Sequence, residues 1–158
     1  MKPTDAELRQ LAADAFQLKG WEHLSVFAKA AIKNLRGWRI PVTSKTGKRI
    51  FVRYPRVEMS LNPKFGELRA CLMPKLADVE KLKKRLDPAA FDEFRSTFRE
   101  MLSGVGHTLT AISTVTCQAT GRPGARQIAE QGGWIRTLHP TVARKLKVKE
   151  KPLRSWNL

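Results

Sequence analysis

Nine basic side chains, Lys29, Lys33, Arg36, Arg39, Lys45, Lys48, Arg49, Arg53 and Arg56, stand between Glu22 and Glu58 with no carboxylate among them. Ammonium and guanidinium groups donate to phosphate oxygens, and a run of them without acidic neighbours repels itself until a polyanion relieves the repulsion. Phe51, in the same stretch, adds a ring on which an unpaired base could stack, which is worth roughly 1–3 kcal/mol per base in single-strand binders. The chemistry is phosphate contact with optional stacking.

These residues need elements to position them. Lys29, Lys33 and Arg36 recur at intervals of four and three, which places them on one stripe of a helix from about Glu22 to Arg36. Leu24, Phe27, Ala31 and Leu35 form the opposite stripe and Gly37 closes the helix. From Trp38 the period falls to two. Trp38, Ile40 and Val42 alternate with Arg39, Pro41 and Thr43, and after Lys45-Thr46-Gly47 the residues Ile50, Val52 and Tyr54 alternate with Arg49, Phe51 and Arg53, which predicts a β-hairpin. Pro41 confines its strand to an edge, or to a position where its nitrogen faces solvent. If Ile50, Val52 and Tyr54 face the core, the pleat sends Arg49, Phe51 and Arg53 to the other face beside Arg39, Thr43 and Lys45. The competing expectation buries Phe51 under a helix with Arg49 and Arg53 at its rim. The loop Lys45-Thr46-Gly47-Lys48 could alternatively enter a duplex groove.

Thr4 and Glu7 have capping-box spacing ahead of Leu8, Leu11, Ala15 and Leu18, so a first helix is expected until Gly20. Val57 to Leu61 and Leu68 to Leu72 read as further strands of an antiparallel sheet of three or four strands, with a helix as the alternative for Glu67 to Met73. Lys75 to Leu86 reads as a helix carrying Lys81, Lys83, Lys84 and Arg85. Asp87-Pro88 then starts a long helix, with Asp92 and Glu93 in its first turn and a seam of Phe91, Phe94, Phe98, Met101 and Val105. His107 to Thr120 is read as a buried helix, although its β-branched content would also suit a strand.

Beyond the Gly121-Arg122-Pro123-Gly124 turn, a short helix near Ala125 to Gln131, a Gly132-Gly133 break and a helix from Pro140 are expected. An exposed basic tail, Lys145 to Leu158, follows. The segment Gln127 to Gly133 followed by His139-Pro140-Thr141-Val142-Ala143-Arg144-Lys145-Leu146 loosely resembles a helix-turn-helix. The resemblance implies DNA contact from the Pro140 helix, but Trp134 to Leu138 makes the turn about three residues too long, and turn length sets the interhelical angle. A helical pair packing Ile128, Trp134 and Leu138 is the main expectation, and a divergent helix-turn-helix the alternative. Arg144, Lys145 and Lys147 are in either case candidate auxiliary phosphate contacts.

Other chemistries find little support. Gly47-Lys48 is not a phosphate-binding loop, because Arg49 stands where Ser or Thr is required and Val42 where the upstream Gly should be. His23, His107, His139, Cys71 and Cys117 have no metal-ligand spacing, and Glu58 and Glu67 are the sole carboxylates of the basic sheet region, so no metal or cofactor is expected. No nucleophile and base form a local constellation. The enzymatic alternative is a small metal-independent ribonuclease, with Tyr54, Arg53 and His107 as first candidates.

Length and charge complete the expectation. The 158 residues carry a net charge of +16 and are 42% hydrophobic, enough for a folded core rather than a disordered basic arm. The charge divides evenly, with fifteen Lys or Arg against seven Asp or Glu in each half. Two cysteines suit reduced thiols and a cytoplasmic location, and neither a signal peptide nor a membrane span is read. The expected fold is a single α+β domain over residues 1–120, with two N-terminal helices, a small antiparallel sheet with a basic hairpin and a long helix, followed by a basic helical C-terminal extension over 121–158. The expected function is non-catalytic nucleic-acid binding, with single-stranded DNA or RNA favoured over duplex DNA. A basic structural subunit with protein partners in a nucleoprotein assembly is the further alternative.

Overall fold

The capping box forms as spaced. The Glu7 amide donates to Thr4 Oγ1 at 3.3 Å and the Thr4 amide to Glu7 Oε2 at 2.7 Å, which satisfies two otherwise orphaned donors at the start of α1 (Asp5–Phe16). That amide also holds the Glu7 carboxyl below its ordinary range. A computed structural model describes residues 2–130 and 134–151 of the chain. After α1 come a 3-10 turn (Lys19–Trp21), α2 (Glu22–Gly37), β1 (Ile40–Thr43), β2 (Arg49–Val52), β3 (Val57–Lys64), β4 (Glu67–Pro74), α3 (Leu76–Arg85) and α4 (Pro88–Thr114). The chain continues through β5 (Arg126–Glu130), β6 (Ile135–Leu138), α5 (Pro140–Lys145) and β7 (Glu150–Lys151). The class is α+β, with the N-terminal helices, the hairpin and the long helix where the sequence places them.

The strands do not merge into one sheet. β1 pairs with β2, β3 pairs with β4, and β5 lies between β6 and β7, so the three- or four-stranded sheet expected from Trp38 to Met73 is two separate pairs. Glu67 to Met73 is strand, not helix. By contact the chain divides into two compact units: Met1–Val26, Asn62–Arg69 and Leu109–Leu158 in the first, Phe27–Leu61 and Ala70–Thr108 in the second.

The second unit is organised around aromatic packing. Tyr54 stacks on Phe98 with ring centroids 4.5 Å apart and tilts against Phe94 at 4.9 Å, among Val52, Leu82, Leu86, Phe91 and Leu102. Each such side chain contributes roughly 1.5–3 kcal/mol on burial, and the offset ring pairs add to it. The Phe91, Phe94, Phe98 seam is thus core, while Met101 is only partly buried against it. Asp87 caps α4, its Oδ2 accepting from the Ala89 and Ala90 amides at 3.1 and 3.3 Å. Asp92 and Glu93 fall beyond the first turn instead of in it, because Pro88 to Phe91 occupy that turn.

The first unit has its own core of Ala15, Cys117, Ala119, Ala125, Ile128, Leu138, Val142 and Ala143. The helix read over His107 to Thr120 is the end of α4 and stops at Thr114. There the Ser113 and Thr114 hydroxyls donate back to the Thr110 and Ala111 carbonyls, and beyond Thr116 the amides turn to other segments, Cys117 N to Arg122 O in a loop and Gln118 N to Thr137 O of β6.

The short helix expected near Ala125 to Gln131 is instead β5, paired antiparallel with β6 in the register Gln127↔Thr137 and Ile128↔Arg136. The helix-turn-helix therefore does not form, although α5 starts at Pro140 as read, with His139 Nδ1 accepting from the Thr141 amide. Ile128 and Leu138 are buried as expected, but from facing strands, and Trp134 is exposed. Leu146 and Val148 pack on this core, so the segment after α5 is anchored and not an exposed tail through those residues. The expected Gly132-Gly133 break and the rest of the tail, 152–158, lie outside the described residues.

Candidate nucleic-acid interface

Lys29, Lys33 and Arg36 project from α2 into a groove of about 680 Å³ that Arg53 and Arg56 line with them, over Ile32, Val57 and Met59. No carboxylate is among the described residues that line it. Lys29 to Arg36 spans ~10 Å along the helix axis, a distance over which one strand of a duplex offers about three phosphates. Lys29, Lys33, Arg36 and Arg53 have no salt bridge among the described residues.

Arg56 is different. Its Nε and Nη2 donate to the two Asp78 carboxylate oxygens at 2.8 and 2.9 Å, and its amide donates to Asp78 Oδ2 at 3.0 Å. These bonds hold the Asp78 carboxyl far below its usual range and push the Arg56 guanidinium up. The pair therefore neutralises one wall of the groove and pins the Arg56 segment to α3. A carboxylate whose folded pKa is depressed stabilises the fold fully above its unfolded pKa of about 4 and loses that contribution as pH falls toward the folded value. Asp78→Asn should accordingly be less stable than the parent at pH 7 and converge with it in strongly acidic solution, as read by urea denaturation across pH. At neutral pH the same substitution releases Arg56 into the groove, and polyanion affinity should rise a few-fold.

The hairpin presents the second surface. Ile50 is half-buried while Val52 and Tyr54 are buried, so the inward set is as expected; Arg49, Phe51 and Arg53 are exposed. Phe51 is 58% exposed, opposite Pro41 in the register, with the Arg39 guanidinium 5.6 Å from its ring centroid. Burial of Phe51 under a helix does not occur. Lys45 and Lys48 occupy a turn closed by Ser44 N–H to Lys48 O and Gly47 N–H to Ser44 O. Lys45 N–H to Arg85 O and Asp87 N–H to Thr43 O tie this turn to the end of α3, whose last turn carries Lys83, Lys84 and Arg85.

Two placements escaped sequence reasoning. Arg56 belongs to the acid-free stretch, but its position on the groove depends on Asp78, a partner far along the chain. Arg85 belongs to a basic helix run that only tertiary bonding brings to the hairpin turn. Tyr54 is 4% exposed and its hydroxyl pKa is raised by burial, so the residue named first for ribonuclease chemistry is part of the core. His107 is exposed on α4. Arg144, Lys145 and Lys147 belong to the first unit, with Arg144 and Lys145 in the last turn of α5 and Lys147 in the left-handed region at φ 50°. Among the described residues no cluster of His, Cys, Asp or Glu is placed to hold a metal, and no helix is long and apolar enough to cross a membrane.

No protein-family model, curated protein or solved structure matches this chain.

Proposed function

We propose that the protein binds nucleic acid without catalysis, through phosphate contacts from Lys29, Lys33, Arg36 and Arg53 in the groove and from Arg39, Lys45, Lys48 and Arg49 on the hairpin. The observation that carries this is the convergence of helix and post-hairpin cations on one concave surface with no carboxylate among its described lining residues. A cationic concavity concentrates field lines and favours an extended anion over a compact one. Phe51, exposed beside Arg39, offers a ring to an unpaired base, which favours single strands over duplex.

Titration of labelled single-stranded DNA, duplex DNA and RNA across a salt series tests the proposal. Contact with four or more phosphates gives a log–log slope of about −3 or steeper on single strands. A slope near zero on all three ligands would refute it.

A further inference from the structure

The first unit contains a cleft of about 460 Å³ whose rim carries three exposed aromatic side chains, Phe16, Phe65 and Trp134, at 84%, 59% and 75% exposure. Solvent-exposed rings on one cleft are unusual unless something covers them. Two non-glycine residues with positive φ, Leu18 at 59° and Phe65 at 53°, line the same cleft. A bulky side chain in the left-handed region costs of order 1–3 kcal/mol and persists where the surroundings over-determine it. At Phe65 the surroundings do so. Phe65 and Gly66, at φ 53° and 72°, form the two-residue turn between β3 and β4, a place that ordinarily takes Asn, Asp or Gly. Gln127 Nε2 donates to the Phe65 carbonyl at 3.2 Å, and the Thr137 hydroxyl donates to the Gly66 carbonyl. The ring is thus fixed at a hairpin tip, out of the core and at a conformational cost.

We infer that this cleft is a stacking site for an unpaired base of single-stranded nucleic acid, a proposal that rests on the polyanion reading above and gives it a second, base-dependent component. Charge selects this occupant over an apolar protein segment. Lys64 Nζ lies 5.1 Å and the Arg69 guanidinium 6.0 Å from the Phe65 centroid. Among the described residues no carboxylate lines the cleft, and nearby Glu67 and Glu130 are engaged by Arg69 and Arg136, so Lys64 on the rim offers its ammonium group to a phosphate. Gln118, which also lines the cleft, has its amide engaged, Nε2 donating to Ala15 O at 2.9 Å and Oε1 accepting from Thr137 N at 3.0 Å. With that amide engaged inside the fold, recognition through the ring faces is sequence-tolerant.

The test compares an oligothymidine strand with an abasic strand of equal length and charge, each titrated against the full chain and against Phe65→Asn, Trp134→Ala and Phe51→Ala. The parent should bind the thymidine strand about tenfold or more tightly than the abasic one. Phe65→Asn and Trp134→Ala should each cut that advantage at least about fivefold with abasic binding unchanged. Asn tolerates the left-handed region, so Phe65→Asn should melt no lower than the parent, which separates a lost platform from a lost fold. Equal binding of both strands by the parent overturns the cleft alone, as does an advantage that only Phe51→Ala removes. Self-association abolished by Trp134→Ala, with the base advantage intact, assigns the cleft to a second copy and likewise overturns it. Failure of the parent to bind either strand overturns the nucleic-acid reading together with the cleft.

Discussion

Lys33, Arg36 and Arg53 replaced together by glutamate will weaken binding to every nucleic acid at low salt by at least about a hundredfold, and will flatten the salt dependence by about two to three units of slope. All three side chains are exposed groove residues without salt bridges among the described residues, so the substitutions remove cations from the proposed binding surface and not from the fold's own network. Surface changes of this kind alter stability by only about 0.5 kcal/mol either way. The loss will be uniform across sequences, since phosphate contacts carry no base information. A triple variant that keeps both the affinity and the slope of the parent would move the binding surface away from this groove.

Gly20→Ala will have the largest effect on stability. Gly20 sits in the 3-10 turn after α1, its amide bonded to Gln118 O at 2.9 Å. A Cβ there would meet Cys117 O at 2.1 Å, Gly121 N at 2.4 Å and Thr120 N at 2.7 Å. All three are backbone atoms of one loop, itself held by Gly121 N–H to Cys117 O at 2.8 Å, so no side chain can rotate away to make room. Overpacking against a fixed backbone should cost on the order of 3 kcal/mol or more, at the upper end for a single methyl. Gly104→Ala is the control: within α4 an added Cβ meets nothing within 4 Å. That substitution should stabilise by about 0.5–1 kcal/mol through helix propensity. Chemical denaturation of the two variants beside the parent will show opposite shifts in midpoint.

Local signals in the sequence found the elements whose geometry is local. The Thr4/Glu7 capping box, the Asp87-Pro88 start of α4 and the alternation of Arg49 to Tyr54 each depend on residues a few positions apart, and each forms as read. The basic stripe of α2 and the exposed face of the hairpin were legible for the same reason. Arg126 to Glu130 is strand where the sequence suggests helix, because Gln127-Ile128-Ala129-Glu130 suits a helix in isolation, whereas pairing with Ile135–Leu138 satisfies the same backbone as strand. The aromatic cleft left almost no sequence signal, because Phe16, Phe65 and Trp134 come from three distant segments and each by itself resembles an ordinary apolar residue.

The sequence by itself determined the α+β class, the cationic character of residues 23–57 and the outward set of the hairpin, because helical and strand periodicities and charge are properties of neighbours along the chain. Only the tertiary structure decided that Arg53 meets the α2 stripe across a groove, that Asp78 engages Arg56, that Tyr54 stacks on Phe98 and that three rings share one cleft. Those are long-range juxtapositions, fixed by which apolar faces bury together and which buried donors find acceptors, and no spacing along the chain encodes them directly.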